Sequence, residues 1–289
     1  MNGAPPTEKS TGKATRISLP AGVRDALCRP RPLPAGRASM DWILRGMKLR
    51  IEADERGEVL VPTDVGMSLL SAFNHDPSIS VEGARVLDVG CGSGLYTVAM
   101  LLAGAAHVTA LDINAACTRV AVDNLARNGI DLSRVTVEVA DLARLEITRP
   151  WDVVVCNPPH LPSDPAYAME DGIDTALVGG LDGRAMYDVL LARLDELLAP
   201  RGTLLLTHSS LTDIQRTCRQ LEQAGYRCRT VQVCELDIPL RRYAAHRDVL
   251  LSRLYALRSA GRAAFRGLRF EVHTIAATRS STNEKAGES

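Results

Sequence analysis

From residue 85 the chain alternates short apolar runs with longer amphipathic stretches. ARVLDVG, HVTALDI, RVTVEVA, WDVVVC and GTLLLTH lack the in/out alternation of a half-exposed strand, and this predicts strands covered on both faces. Between and after them, GLYTVAMLLAG, NAACTRVAVDNLARNG, GRAMYDVLLARLDELLA and LTDIQRTCRQLEQAG predict helices. Strands that alternate with helices of this length imply right-handed crossovers and a parallel sheet with helices on both faces. A sixth strand is expected near 229–236, followed by an Arg- and Ala-rich helical insertion over 241–266. The last apolar run, LRFEVHTIAA, alternates more clearly and is expected to lie antiparallel. The fold class is therefore α/β, a doubly wound seven-stranded sheet.

The pattern is weaker before residue 85. Residues 1–38 are rich in Pro, Gly, Ser, Lys and Arg and are expected to form a flexible extension. Within 39–80, residues 41–61 predict two short strands around the Glu55-Arg56-Gly57 turn, and 61–73 a turn feeding a helix with Thr63 or Asp64 as its N-cap. The sheet domain is expected to occupy 81–277, with a disordered tail over 278–289.

Composition narrows the class without choosing a function. Thirty-four basic and 34 acidic residues cancel, so no global field draws the chain to nucleic acid or membrane. Arg241, Arg242 and Arg247 still form a local basic cluster, most simply read as a solvated face. Seven cysteines, none in a C-x-x-C pair, argue against zinc and dithiol redox chemistry and for a reducing compartment. The N-terminus lacks a secretory pattern and no apolar run reaches membrane-spanning length, so a cytoplasmic location is expected.

The first strand ends in VLDVGCGSGLY, with Asp88, Gly90, Gly92 and Gly94 at the sheet edge where open α/β folds bind ligands. A dinucleotide fingerprint fails here, because the position for its last glycine is Leu95 or Thr97. Instead an acid stands two residues before the first glycine, where it would repel a pyrophosphate and attract an ammonium. Asp112, followed by Ile113, closes the second strand and can take both ribose hydroxyls. Asp141, followed by Leu142, closes the third and can accept from an adenine amino group. Each acid alone reads equally well as a helix cap. Three acids at the ends of successive strands, beside a glycine loop, predict a phosphate-free nucleoside with a cationic amino acid end: S-adenosylmethionine. No metal is implied.

The fourth strand runs into Asn157-Pro158-Pro159-His160. Two prolines stiffen this corner and leave carbonyls unpaired, so the Asn157 side-chain oxygen and the Pro158 carbonyl can both accept from one planar N–H₂ group. That arrangement would aim a nitrogen and stabilise positive charge developing on it. The plainer reading is a strand-terminating Asn-Pro turn.

DVGCGSG, LDIN, ADL and NPPH, in this order, resemble the class I S-adenosylmethionine-dependent methyltransferases over roughly residues 60–237. The resemblance implies a Rossmann-like domain in which Asp88 and the glycines hold the methionine end, Asp112 the ribose, and Asp141 with Leu142 the adenine, with Ile113 also among the donor-binding residues. Gly179-Gly180-x-Asp182-Gly183 after the corner resembles the HemK-like glutamine methyltransferases of release factors, and VPTDVG resembles their segment that closes over the donor. His160 departs from that family's aromatic residue, usually Tyr. It could stack, contact a carboxylate or accept a proton. On this resemblance a protein glutamine ranks first as acceptor. A small molecule ranks second, a nucleic-acid base third, and a donor-binding module without transfer last.

Overall fold

A computed structural model describes residues 15–16, 31–32, 38–52, 58–164, 173–240, 243 and 246–279. The main sheet is built from β5 (Arg85–Val89), β6 (His107–Asp112), β7 (Val135–Val139), β8 (Trp151–Cys156), β9 (Leu198–Ser209), β10 (Tyr226–Asp237) and β12 (Arg269–Arg279). Their order is β10-β12-β9-β8-β5-β6-β7. Two-residue strands β1 (Thr15–Arg16) and β11 (Phe265–Arg266) add to β10 and β12. β5 through β9 pair in parallel, whereas β12 runs antiparallel to both β9 and β10. The seven expected strands and the reversed last strand are all present. Strand order turns back at β5, between β8 and β6, which opens a crevice beyond their carboxyl ends.

Both faces are covered. On one side lie α1 (Asp64–His75), α2 (Leu95–Leu102) and α3 (Ala115–Arg127), with Leu69, Phe73, Val98 and Leu125 buried against Val86 and Val108. On the other, α4 (Ala185–Leu197) and α5 (Ile214–Gln223) bury Tyr187, Leu190, Leu194 and Leu221 against Leu87, Val154 and Leu206. α6 (Arg247–Ser259) occupies the insertion and places Leu250 and Leu254 over Leu161, Phe270 and Val272. Positions 241, 242, 244 and 245, which begin the expected insertion, lie outside the described residues.

The amino-terminal part differs from expectation. β3 (Ala38–Leu44) and β4 (Met47–Glu52) form a hairpin whose turn is Arg45-Gly46, not Glu55-Arg56-Gly57; residues 53–57 lie outside the described set. No strand follows at 58–63. Arg45 adopts φ 47°, which a two-residue hairpin turn requires and a non-glycine side chain disfavours. Its tertiary bonds hold it there: its backbone N–H donates to Asn74 Oδ1, and its guanidinium donates to the Phe73 and Ile79 carbonyls. β2 (Arg31–Pro32) pairs with β3. Most of the expected flexible stretch 1–38, and the tail 280–289, lie outside the described residues. α1 begins one residue after Thr63, its N-cap, although that side chain makes no capping bond.

Candidate active site

A cleft at the carboxyl ends of β5, β6 and β8 is lined by Gly90, Gly92, Asp112, Ile113, Asp141, Leu142, Asn157 and Pro158. Eight sequence candidates thus share one wall. Asp112 is fixed by two backbone donors, Gly92 N–H to Oδ2 at 3.0 Å and Asn114 N–H to Oδ1 at 2.9 Å. Each oxygen keeps a lone pair for a further donor. Asp141 caps the short helix Leu142–Arg144 through Ala143 N–H at 2.9 Å and keeps a half-exposed side chain. The cap reading and the cavity reading hold together for this residue. Ile113 is 59% exposed at the cleft, an apolar surface that a flat ring would cover. A Cβ built on Gly90 or Gly92 meets nothing within 4 Å, so backbone alone lines the cleft there. Nucleoside-sized apolar and hydroxyl-accepting groups therefore converge, and these residues fit S-adenosylmethionine.

Three candidates are placed off the wall. Asp88 is fully buried, because alternation along β5 turns it with Val86 toward α2 rather than out of the strand end. Its Oδ2 accepts from Thr97 Oγ1 at 2.6 Å, and Oδ1 is a buried oxygen without a partner. Burial pushes the Asp88 pKa up to about 7, against the Thr97 bonds and with a smaller push from Asp112. A direct grip on a ligand ammonium, expected from the motif, is not what this side chain is placed to give. Gly94 serves packing: a Cβ there would stand 3.0 Å from Ala121 Cα and Cβ, so it lets α2 approach α3.

His160 is the third. It turns away from the cleft toward Phe270, with ring centroids 6.3 Å apart. Its Nδ1 lies 3.1 Å from the Pro158 carbonyl, which can only accept, so Nδ1 carries the proton. Burial holds its pKa below the ordinary imidazole range, with that carbonyl opposing. The stacking and base roles offered by the sequence are not the ones this orientation supports.

The corner itself is clamped. Thr207 Oγ1 at the end of β9 donates to Asn157 Oδ1 at 2.5 Å, and Asn157 Nδ2 lies 3.5 Å from a Cβ built on Gly66 of α1. His160 and Leu161 N–H donate to the Leu177 carbonyl, and Gly179 N–H donates back to Leu161. The Gly179–Gly183 segment thus pairs with the corner at van der Waals limits. A Cβ on Gly179 would sit 2.7 Å from the Pro159 carbonyl, and one on Gly183 2.5 Å from that of His160.

The sequence reading missed Glu58, Leu60, Thr175, Ala176 and Met186 on the wall. Glu58 and Leu60 precede VPTDVG by a few residues, and Glu58 bonds Arg119 of α3 at 2.9 Å. Their only signal was proximity to that motif. No described helix is long and apolar enough to cross a membrane, and no described cluster of His, Cys, Asp and Glu could hold a metal.

A family model described as ribosomal protein L11 methyltransferase (PrmA) matches residues 63–158. A Methanocaldococcus jannaschii protein whose name assigns it protein N5-glutamine methyltransferase activity is 27% identical over 184 residues, 64% of this chain and 87% of that one. A release factor glutamine methyltransferase of Rhodospirillum rubrum is 36% identical over 128 residues, 42% of this chain. The match covers 39% of that enzyme, so this chain spans less than half of it. The crystal structure of SMU.776, described as a methyltransferase and complexed with S-adenosylhomocysteine, aligns with a TM-score of 0.51 at 14% identity. It covers 82% of this chain and 56% of its own, a likeness of fold alone. Together with the glycine loop, the strand-end acids and the Asn-Pro-Pro corner, the relatives support a HemK-like class I S-adenosylmethionine-dependent methyltransferase.

Proposed function

We propose that the chain transfers a methyl group from S-adenosylmethionine to the side-chain amide nitrogen of a protein glutamine. The observation that carries this reading is the single cleft shared by Asp112, Ile113 and Leu142 at one end and Asn157-Pro158 at the other. Asp112 would accept from the ribose hydroxyls, Ile113 and Leu142 would cover the adenine faces, and Asp141 would accept from its amino group. The donor, when bound, supplies a methyl carbon already activated by the sulfonium charge. The glycines would admit the methionine end along bare backbone.

Acceptor activation falls to the corner. An amide nitrogen is a weak nucleophile because its lone pair is delocalised into the carbonyl. The remaining lone pairs of Asn157 Oδ1 and the Pro158 carbonyl can accept its two protons, raise the density on nitrogen and stabilise charge as it forms. Holding the nitrogen in line supplies a large share of the acceleration. The prolines keep that geometry without reorganisation, and Thr207 fixes which way Asn157 points. The named activities of the relatives support a glutamine acceptor over other planar amides.

The test is incubation with isotope-labelled donor and a cell extract, separated into protein, nucleic-acid and small-molecule fractions. Label in protein, mapped by mass spectrometry to a glutamine side chain, is expected. Label confined to either other fraction would overturn the acceptor assignment while leaving the donor site intact.

A further inference from the structure

The cysteine spacing argued against dithiol chemistry, yet the fold brings two thiols together. Cys218 lies on α5 and Cys228 near the start of β10, and the Ala224-Gly225 turn lies between these two elements. Their sulfurs are 3.7 Å apart, with the Cys228 S–H donating to Cys218. Both are partly exposed, whereas Cys91, Cys117, Cys156 and Cys234 are buried. Closing to a bond of about 2 Å asks for a shift of under about 2 Å, which side-chain rotation and a glycine-containing turn can absorb.

We propose that Cys218 and Cys228 form a redox-modification site that closes to an intramolecular disulfide on meeting a low-molecular-weight disulfide. The Cys218 thiol loses its proton and its sulfur attacks the small disulfide, forming a mixed disulfide and releasing one small thiol. The Cys228 sulfur, deprotonated in turn, attacks the Cys218 sulfur and releases the second. Two protein thiols are oxidised, one small disulfide is reduced to two thiols, and no further reactant is needed. Cys218 is the better first nucleophile: the Cys228 S–H bond holds its pKa below the usual thiol range, with Arg219 assisting and burial and Glu222 opposing. Cys228 is pushed up by the same bond and by burial. The site is independent of the methyl acceptor, although α5 also carries Thr217 and Gln220, which bond buried Arg184.

The experiment treats the reduced full chain, with and without C28S, with oxidised glutathione, then blocks free thiols and maps peptides by mass spectrometry. The expected product is a Cys218–Cys228 link two hydrogens lighter than the dithiol, reversed by dithiothreitol. C228S should trap glutathione on Cys218, and C218S should leave Cys228 unmodified over the same time. Mixed disulfides without the internal link, a link that requires Cys28, or reaction only after unfolding in urea would each overturn the proposal.

Discussion

Asp88 offers a quantitative test, because its burial has a thermodynamic signature. Its carboxyl titrates near 3.8 when exposed and at about 7 in the fold, where burial is the dominant cause. A raised folded-state value means that the folded chain holds more protons between those limits. The group therefore stabilises the fold at low pH and loses that contribution as pH rises through about 7. Between pH 5 and pH 8 the loss is about 2.5 kcal/mol. Asp88→Asn removes the titration. Its oxygen still accepts from Thr97, and any cost of placing an amide N–H₂ at the unpartnered position is the same at both pH values. Urea unfolding of both chains at pH 5 and pH 8 supplies the double difference, from which every other titrating group cancels. The variant should gain about 2.5 kcal/mol on the native chain in going from pH 5 to pH 8. Equal offsets at the two pH values would refute the buried, proton-holding carboxyl. The variant alone should then reveal the opposite slope from the buried histidines, His208, lowered to about 3, with His160 and His273 also lowered by burial, so that stability is lost as pH falls below about 6.5.

Asp112→Asn should weaken S-adenosylhomocysteine binding by about 10- to 100-fold in calorimetry, as expected for losing charge-assisted hydrogen bonds. Asn157→Ala should leave that affinity within about twofold and lower methyl transfer by about 10²-fold. Thr207→Val should lower transfer without changing donor affinity, and Thr207→Ser should restore it, since only the hydroxyl reaches Asn157. Gly183→Ala should destabilise by about 2 kcal/mol or more in thermal melts, because the new methyl would stand 2.3 Å from Thr212 Cγ2. Gly261→Ala, at an open position, should cost about 1 kcal/mol and serve as the control.

The sheet was legible because its strands are apolar runs that only a doubly covered sheet can bury, and its helices carry regular stripes. β7 is the exception: it lies at the edge, half-exposed, and Val139 is 57% exposed there. The hairpin turn was not legible, since Arg45 carries no turn signal and owes its backbone conformation to Phe73, Asn74 and Ile79. Among the candidate residues, those placed by bare backbone or by a strand end reach the cleft. Asp112 and Asn157 leave their strands at the cleft, so position alone aims them. Asp88 and His160 lie off the cleft wall: a motif gives residue types in order but not the face on which each side chain emerges. Cys218 and Cys228, ten residues apart, meet only because a helix and a strand fold back on each other.

What lies behind the corner explains why a buried arginine follows the Gly179–Gly183 segment. Arg184 is 1% exposed, a position that only complete pairing makes tolerable. Its five N–H groups find partners in Asp188, the Asp213 carbonyl, Thr217 Oγ1 and Gln220 Oε1. Since Arg184 donates to Thr217 Oγ1, the Thr217 proton is free to go to His208 Nε2, 2.8 Å away. That leaves Nδ1–H to donate to the Ser209 carbonyl, so His208 is neutral with its tautomer fixed. His208 stacks on Tyr187 at 4.2 Å, Tyr187 O–H donates to the Thr207 carbonyl, and Thr207 Oγ1 reaches Asn157. Buried polar contacts thus run from the helix that opens at Arg184 to the Thr207 backbone, whose side chain reaches the amide at the cleft. An apolar core would hold these elements together as well, but it would not choose between the two faces of the Asn157 amide. The Thr207 hydroxyl makes that choice by donating to Oδ1, and the polar contacts behind it join residues that no motif marks.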